Sequence, residues 1–279
     1  MHQGATHPSA AAKNVPSYSA LIRTFNSEKS LPPVLASLNA QTRPPCGFVF
    51  VDSGSADGTL ARVPEGAVVH RYVGPEFNFA ESLNQGIRFI TTEYVLIISS
   101  HTSLENRGAL EYAISLLGSD ENLGAAYFAD ERTNILGHEY VDKNTFDGFN
   151  GLWNTCALVR TSLLRERPFR PEVFSAEDQE WAGWYFSTKG GKIACVSGGG
   201  RKCANPRLNA VTKKVNEYVA VAYFANRKLL GWGNILRLFW CAMKSGHGMM
   251  PYGRRYYLLV ATRLAACHFW KPRYRSRYF

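Results

Sequence analysis

Two carboxylates stand side by side at Glu177 and Asp178, behind Ser175-Ala176 at the start of a helical stretch. A helix N-terminus stabilises an ionised carboxylate. Such a group beside a bound hydroxyl can take its proton as the oxygen attacks an electrophilic carbon. Asp178 is the first choice for this base and Glu177 its nearest competitor; the plain alternative is two acids decorating a helix start. Asp52 follows the apolar run GFVFV at 47–51. A strand-end carboxylate can accept the imide N–H of a uracil-like base in a charge-assisted hydrogen bond. The alternative is that Asp52 merely caps the next helix, the reading preferred for Asp57. Glu81 and Asn84 lie about one turn apart in a helical stretch, where an amide can hold a ligand or can equally cap or pack. Asn154, after the Gly-containing 148–153 stretch, is a weaker candidate.

These groups need a scaffold, and the apolar pattern supplies one. Strands are expected over 19–23, 47–51, 68–73, 94–98, 124–128 and 156–160. Helices are expected from Leu31, Val34, Leu35 and Leu38 at i, i+3, i+4 and i+7, over 79–90 and 105–117, and from Ser175-Ala176-Glu177-Asp178. The polar stretch 52–59 reads as a turn running into a helix. Strands alternating with helices across short connections imply an α/β fold, Rossmann-like, with a mostly parallel sheet covered by helices on both faces. Polar clusters close the first, second and fourth strands, and open α/β sheets bind ligands at that edge.

Composition narrows the class. The chain has 279 residues, 46% hydrophobic and 19% charged, enough for one full-sized core. Residues 1–17 contain no apolar run, so a flexible leader rather than a secretory signal is expected. Six scattered cysteines without a CxxC pair argue against a disulfide framework or zinc site and fit a reducing, cytoplasmic setting. The net charge is +10, yet residues 218–279 carry eleven Lys/Arg and no acid, leaving the preceding residues at −1. The sequence therefore divides into a leader (1–17), a catalytic domain (18–217) and a basic, aromatic, helical C-terminal extension (218–279). Such an extension suits an anionic partner surface.

Four segments together resemble the family 2 glycosyltransferases over about residues 19–209. They are Ile22-Arg23-Thr24-Phe25-Asn26, Val51-Asp52-Ser53-Gly54-Ser55-Ala56-Asp57-Gly58-Thr59, Phe77-Asn78-Phe79-Ala80-Glu81-Ser82-Leu83-Asn84-Gln85-Gly86 and Ala176-Glu177-Asp178-Gln179-Glu180-Trp181. The resemblance implies a GT-A fold and inverting transfer of a sugar from a UDP- or dTDP-type donor to a glycan or lipid-linked glycan in surface polysaccharide biosynthesis. It places Thr24, Asn26, Asp52, Ser53, Gly54, Glu81, Asn84, Ser99, Ser100 and Arg201 around the donor, and the base in the segment holding Glu177 and Asp178.

One departure bears on cofactors. Family members usually carry Asp-x-Asp after the fourth strand, where a carboxylate helps hold a divalent metal; here that position reads Ser99-Ser100-His101, like a branch with Ser-x-His. A neutral imidazole can ligate Mn²⁺, whereas His without carboxylates is a poor Mg²⁺ site. Either His101 holds a metal on the diphosphate or Arg201 and Lys202 supply the charge directly. A third reading makes His101 a strand-end side chain with no ligand role. The C-terminal extension interleaves aromatics with cations, as in a helix lying among anionic headgroups. The plain alternative is packing on the enzyme's own body. A peripheral place at the inner face of the membrane follows from the first reading, and no nucleic-acid partner is expected. Two other classes compete. A dinucleotide oxidoreductase lacks its Gly-rich turn after the first strand. A nucleic-acid-binding protein using the basic aromatic tail leaves Asp52 and Glu177-Asp178 without a role.

Overall fold

Strand β1 (Tyr18–Thr24) lies parallel to β2 (Phe48–Asp52), and β2 carries β3 (Val68–Arg71) at the sheet edge. On its other side β1 pairs in parallel with β4 (Tyr94–Ser99). The short β5 (Thr102–Leu104) leaves the sheet directly after β4. The main sheet continues through β6 (Leu123–Phe128), β7 (Gly137–Val141), β8 (Cys156–Arg160) and β9 (Lys192–Ser197) in the order β3-β2-β1-β4-β8-β6-β9-β7. Only β8 and β7 run against the other strands, so the sheet is mostly parallel. A separate antiparallel pair joins β5 to β10 (Arg201–Cys203). The computed structural model describes residues 16–129, 135–204, 211–244 and 253–272. Most of the expected leader, and Arg273, Arg275 and Arg277 of the extension, lie outside the described residues.

The period-two alternation of strands sends one side chain set to each face. Tyr18, Ala20 and Ile22 meet α1 (Leu31–Asn39) and α3 (Ala109–Ser119) in one core. Leu21, Val49 and Val51 meet α2 (Phe79–Ile87), α4 (Thr161–Glu166) and α5 (Glu177–Trp184) in the other. Both faces are thus covered, as a buried parallel sheet requires. Helix α2 comes closest at Gly86, where a Cβ would stand 2.4 Å from Leu21 Cδ1 and 2.8 Å from Val51 Cγ2.

The 52–59 turn does not run into a helix of any length. A single 3₁₀ turn, Leu60–Arg62, follows it, and Val63 is already extended ahead of Pro64. Helices α2 and α3 are also shorter or later than the sequence pattern suggests. The C-terminal region builds its own apolar cluster from α6 (Val211–Ala220), α7 (Trp232–Lys244) and α8 (Arg254–Ala266), with Val215, Ile235, Leu238, Val260 and Leu264 buried in it. No helix among the described residues is long and apolar enough to cross a membrane.

Candidate active site

The carboxyl ends of β1, β2 and β4 meet at one edge of the sheet. Asp52, buried at the end of β2, accepts hydrogen bonds from Thr24 Oγ1 (2.9 Å) and Ser55 Oγ (2.6 Å) at Oδ1, and from the Gly54 and Ser55 backbone N–H (3.0 and 2.9 Å) at Oδ2. A carboxylate offers about four acceptor positions, so Asp52 is fully engaged in shaping the 52–55 turn. Gly54 holds φ +87° there, a conformation that favours glycine. Asn26 adopts φ 48° and ties the loop after β1 to this turn, accepting from the Ala56 N–H at 2.9 Å. Ser27 joins the same loop to the end of β4 through a 2.8 Å bond between its hydroxyl and that of Ser100. Asp57 accepts from the Thr59 N–H and hydroxyl within its own turn; with no α-helix following, it does not cap one, contrary to the expectation from the sequence.

The β5–β10 pair carries His101 and Arg201 to the same edge. The Ala204 N–H donates to the His101 carbonyl, and Arg201 opposes Leu104 in the ladder. Arg201 is buried, donates to Thr155 Oγ1 at 3.1 Å and lies over the Trp153 ring. Lys202 points elsewhere, pairing with Glu105 at 2.5 Å on the surface, so of the two cations only Arg201 faces the site. The His101 imidazole is pushed down to about 4 by burial, with the nearby charges of Lys213 and Arg23 acting in the same direction. It is therefore neutral at physiological pH, the protonation state a metal ligand needs. Among the described residues no three His, Cys, Asp or Glu side chains converge as a metal-binding group. His101 thus offers a neutral nitrogen, a donor that suits Mn²⁺ better than Mg²⁺.

The acids complete the site. The loop at 151–155 is stapled to α5 by Gln179, which accepts from Gly151 N–H (2.9 Å) and donates to the Leu152 carbonyl (2.5 Å). Its Asn154 N–H donates to Asp178 Oδ2 at 3.1 Å, and Asn154 Nδ2 approaches Glu177 Oε1 at 3.5 Å. Asn154 is buried, and its Oδ1 has no partner among the described residues. Glu177 is buried with Arg23 Nη1 3.9 Å from Oε1; Arg23 also donates to the Phe79 carbonyl and stacks on its ring. Desolvation and the neighbouring Glu177 charge push the half-buried Asp178 carboxyl up to about 8, against the opposing pull of the Asn154 and Gln179 N–H groups. Two adjacent acids in a partly desolvated site resist double ionisation. Ser175, two residues before Glu177, sits at φ 65°, a strained conformation for a side-chain-bearing residue.

The structure brings together Thr24, Asn26, the 52–55 turn with Ser53, Ser99, Ser100, His101, Arg201, Glu177 and Asp178. Asn84 takes the packing alternative instead: its Nδ2 donates to the Phe169 carbonyl (2.7 Å) and its Oδ1 accepts from the Phe169 N–H (3.0 Å). Glu81 stands in the first turn of α2, its N–H capped by Asn78 and its carboxylate 3.4 Å from Gln85 Nε2. Sequence reasoning assigns no role to Arg23, Trp153 or Thr155. Arg23 carries a signal, a cation in an otherwise apolar buried strand; Trp153 and Thr155 have none until β10 folds against them.

A sequence model described as Glycosyl transferase family 2 matches residues 19–167. Staphylococcus aureus TarS 1-349 is similar over 90% of this chain and 91% of its own, at 15% identity and TM-score 0.56. The mannosyltransferase PcManGT from Pyrobaculum calidifontis, solved with GDP-Man and Mn²⁺, is similar over 93% of this chain and 77% of its own, at 16% identity and TM-score 0.59. Glucosyl-3-phosphoglycerate synthase from Mycobacterium tuberculosis, solved with Mn²⁺, UDP and glucosyl-3-phosphoglycerate, is similar over 75% of this chain and 80% of its own, at 16% identity and TM-score 0.56. At these identities the likeness is one of fold. No curated protein sequence matches the chain.

Proposed function

The chain belongs to glycosyltransferase family 2, and from that premise we propose that it transfers a sugar, with inversion, from a UDP- or dTDP-type donor to a hydroxyl of a glycan or lipid-linked glycan in surface polysaccharide synthesis. The observation that carries this reading is the placement of Asp178 in the first turn of α5, beside Glu177 and held by the Asn154 N–H, in the site that the β1, β2 and β4 ends frame; its carboxyl is pushed up by desolvation and the Glu177 charge. A base is most effective when its pKa lies near the working pH. In its ionised form Asp178 takes the proton of the acceptor hydroxyl as that oxygen attacks the anomeric carbon in line with the departing diphosphate. Asn154 Oδ1, buried and without a partner among the described residues, accepts from another acceptor hydroxyl. Glu177 stays with Arg23 and tunes Asp178 through its charge.

On the donor side, Asp52 accepts the base imide by exchanging one of its present donors. Arg201 offsets charge on the diphosphate. A divalent metal, when bound, supplies further charge compensation there, with His101 as its protein ligand. The basic C-terminal region is the reason to place the enzyme at the cytoplasmic face of an anionic membrane. Its α7 exposes Trp232, Leu236, Trp240 and Met243 along one side, opposite the buried Ile235, Leu238 and Cys241.

Thermal shift with uridine and thymidine diphosphates, with and without Mn²⁺, tests the donor assignment. Stabilisation of the wild type is expected, with Asp52→Ala binding weaker by about 1.5–3 kcal/mol, the range for a charged hydrogen bond. Equal stabilisation of the wild type and Asp52→Ala removes Asp52 from the nucleotide site.

A further inference from the structure

A cleft of about 320 Å³ lies between Phe174 of the catalytic part and the C-terminal helices. Phe174 forms its wall on the catalytic side, one residue before the strained Ser175 that leads into Glu177 and Asp178. Asn216 and Val219 of α6, Arg263, Ala266 and Cys267 of α8, and the following Trp270, Lys271 and Pro272 complete the lining. The polar groups are all capable of donating, and among the described residues no acid lines the cleft. Asn216 is only 1% exposed; its Oδ1 accepts from Arg263 Nη1, while its Nδ2 has no partner among the described residues. A buried amide N–H left unpaired costs free energy comparable to a lost hydrogen bond, so it favours a ligand that brings an acceptor. Glu172, whose charge interacts with Lys271, is itself bound by Arg170 at 2.5 Å.

Two cations and a buried N–H donor facing one cleft suit a compact anion with several acceptor oxygens. The guanidinium fork fits phosphate geometry, with the ammonium acting as a point charge beside it. Phe174, Trp270, Val219 and Ala266 add apolar walls that a free inorganic anion would leave uncovered. We propose that this cleft is a second ligand subsite, one that takes the phosphate of an amphiphile, with the phosphate on Asn216, Arg263 and Lys271 and the apolar part against Phe174 and Trp270. A lipid-linked acceptor belongs to this class, and that last identification alone rests on the acceptor reading above. Helix α6 then serves both sites, since the residue after Asn216, Glu217, adds its charge to the environment of Asp178.

The test is calorimetric titration of the full chain with monomeric dihexanoyl phosphatidic acid, inorganic phosphate and dihexanoylglycerol. Saturable binding of phosphatidic acid is expected, at least about tenfold tighter than inorganic phosphate, with no binding of the glycerol lipid. Arg263→Gln and Lys271→Gln each weaken it by about tenfold or more, as loss of a charged hydrogen bond would. Stabilisation by uridine diphosphate, measured on the same variants, stays at the wild-type level and reports separately on the donor site. Equal affinity for inorganic phosphate overturns the amphiphile assignment. No saturable binding by any probe, or binding unchanged in both variants, overturns the subsite.

Discussion

At the scale of residues, the site is a set of polar groups whose partners decide what each can do. Asp178 keeps its proton in the free enzyme up to about pH 8 because its carboxyl is desolvated beside Glu177. The acidic limb of kcat/KM therefore falls near pH 8, far above the ordinary carboxylate range. Glu177→Gln removes the like charge, so the limb moves to lower pH; an unmoved limb would separate it from Asp178. The stability consequence has a definite sign. A carboxyl whose folded pKa is raised favours the folded state when protonated, and that contribution is lost as pH rises through the folded value. Asp178→Asn should accordingly raise the melting temperature relative to wild type more at about pH 9 than at about pH 5. Asp52 is visible in the sequence as a strand-end acid, but its four internal hydrogen bonds are not, because three of the donors belong to a turn whose shape only the folded chain reveals. Asn84 looks the same as a ligand amide until the Phe169 backbone takes both of its polar atoms.

At the scale of elements, Gly86 fixes how closely α2 approaches the β1–β2 surface. Alanine there gains helix propensity of about 1 kcal/mol but forces a methyl against Leu21 and Val51 in the core. Overpacking of this kind costs about 1–3 kcal/mol, so Gly86→Ala is expected to unfold at lower denaturant with an unchanged m-value; a more stable variant would show that the sheet yields freely. The strands β1, β2, β4, β6 and β8 are legible because each is a continuous apolar run buried on both faces. Strand β7 is not, since GHEYV sits at an edge with most side chains half-buried or exposed. Strand β9 also goes unassigned in the sequence, although its KIACVS core is apolar. The short β5 and β10 make sense only as a pair. That pair matters most for the site, because it ties the segment holding Arg201 to the chain that follows His101.

At the scale of the whole molecule, charge and apolar exposure coincide on the C-terminal helices. Trp232, Leu236, Trp240 and Met243 lie exposed on α7, and Arg237 and Lys244 belong to the same helix. Aromatic and aliphatic side chains inserted among lipids give binding that salt does not abolish, while each cation near an anionic leaflet adds roughly 1 kcal/mol that salt weakens. The full chain should co-sediment with anionic vesicles and be partly released by high salt, and a variant with Leu236→Ser and Trp240→Ser should bind less while its donor binding persists. Unchanged sedimentation of that variant would leave the α7 face without a lipid role. The proposed chemistry turns on one reaction step, proton acceptance by Asp178 during nucleotide-sugar-dependent transfer. Single-turnover transfer with Asp178→Asn measures it, because the amide keeps the shape but cannot accept the proton. The expected result is a rate at least about 100-fold below wild type, with nucleotide diphosphate binding intact; a wild-type rate in Asp178→Asn would contradict the mechanism.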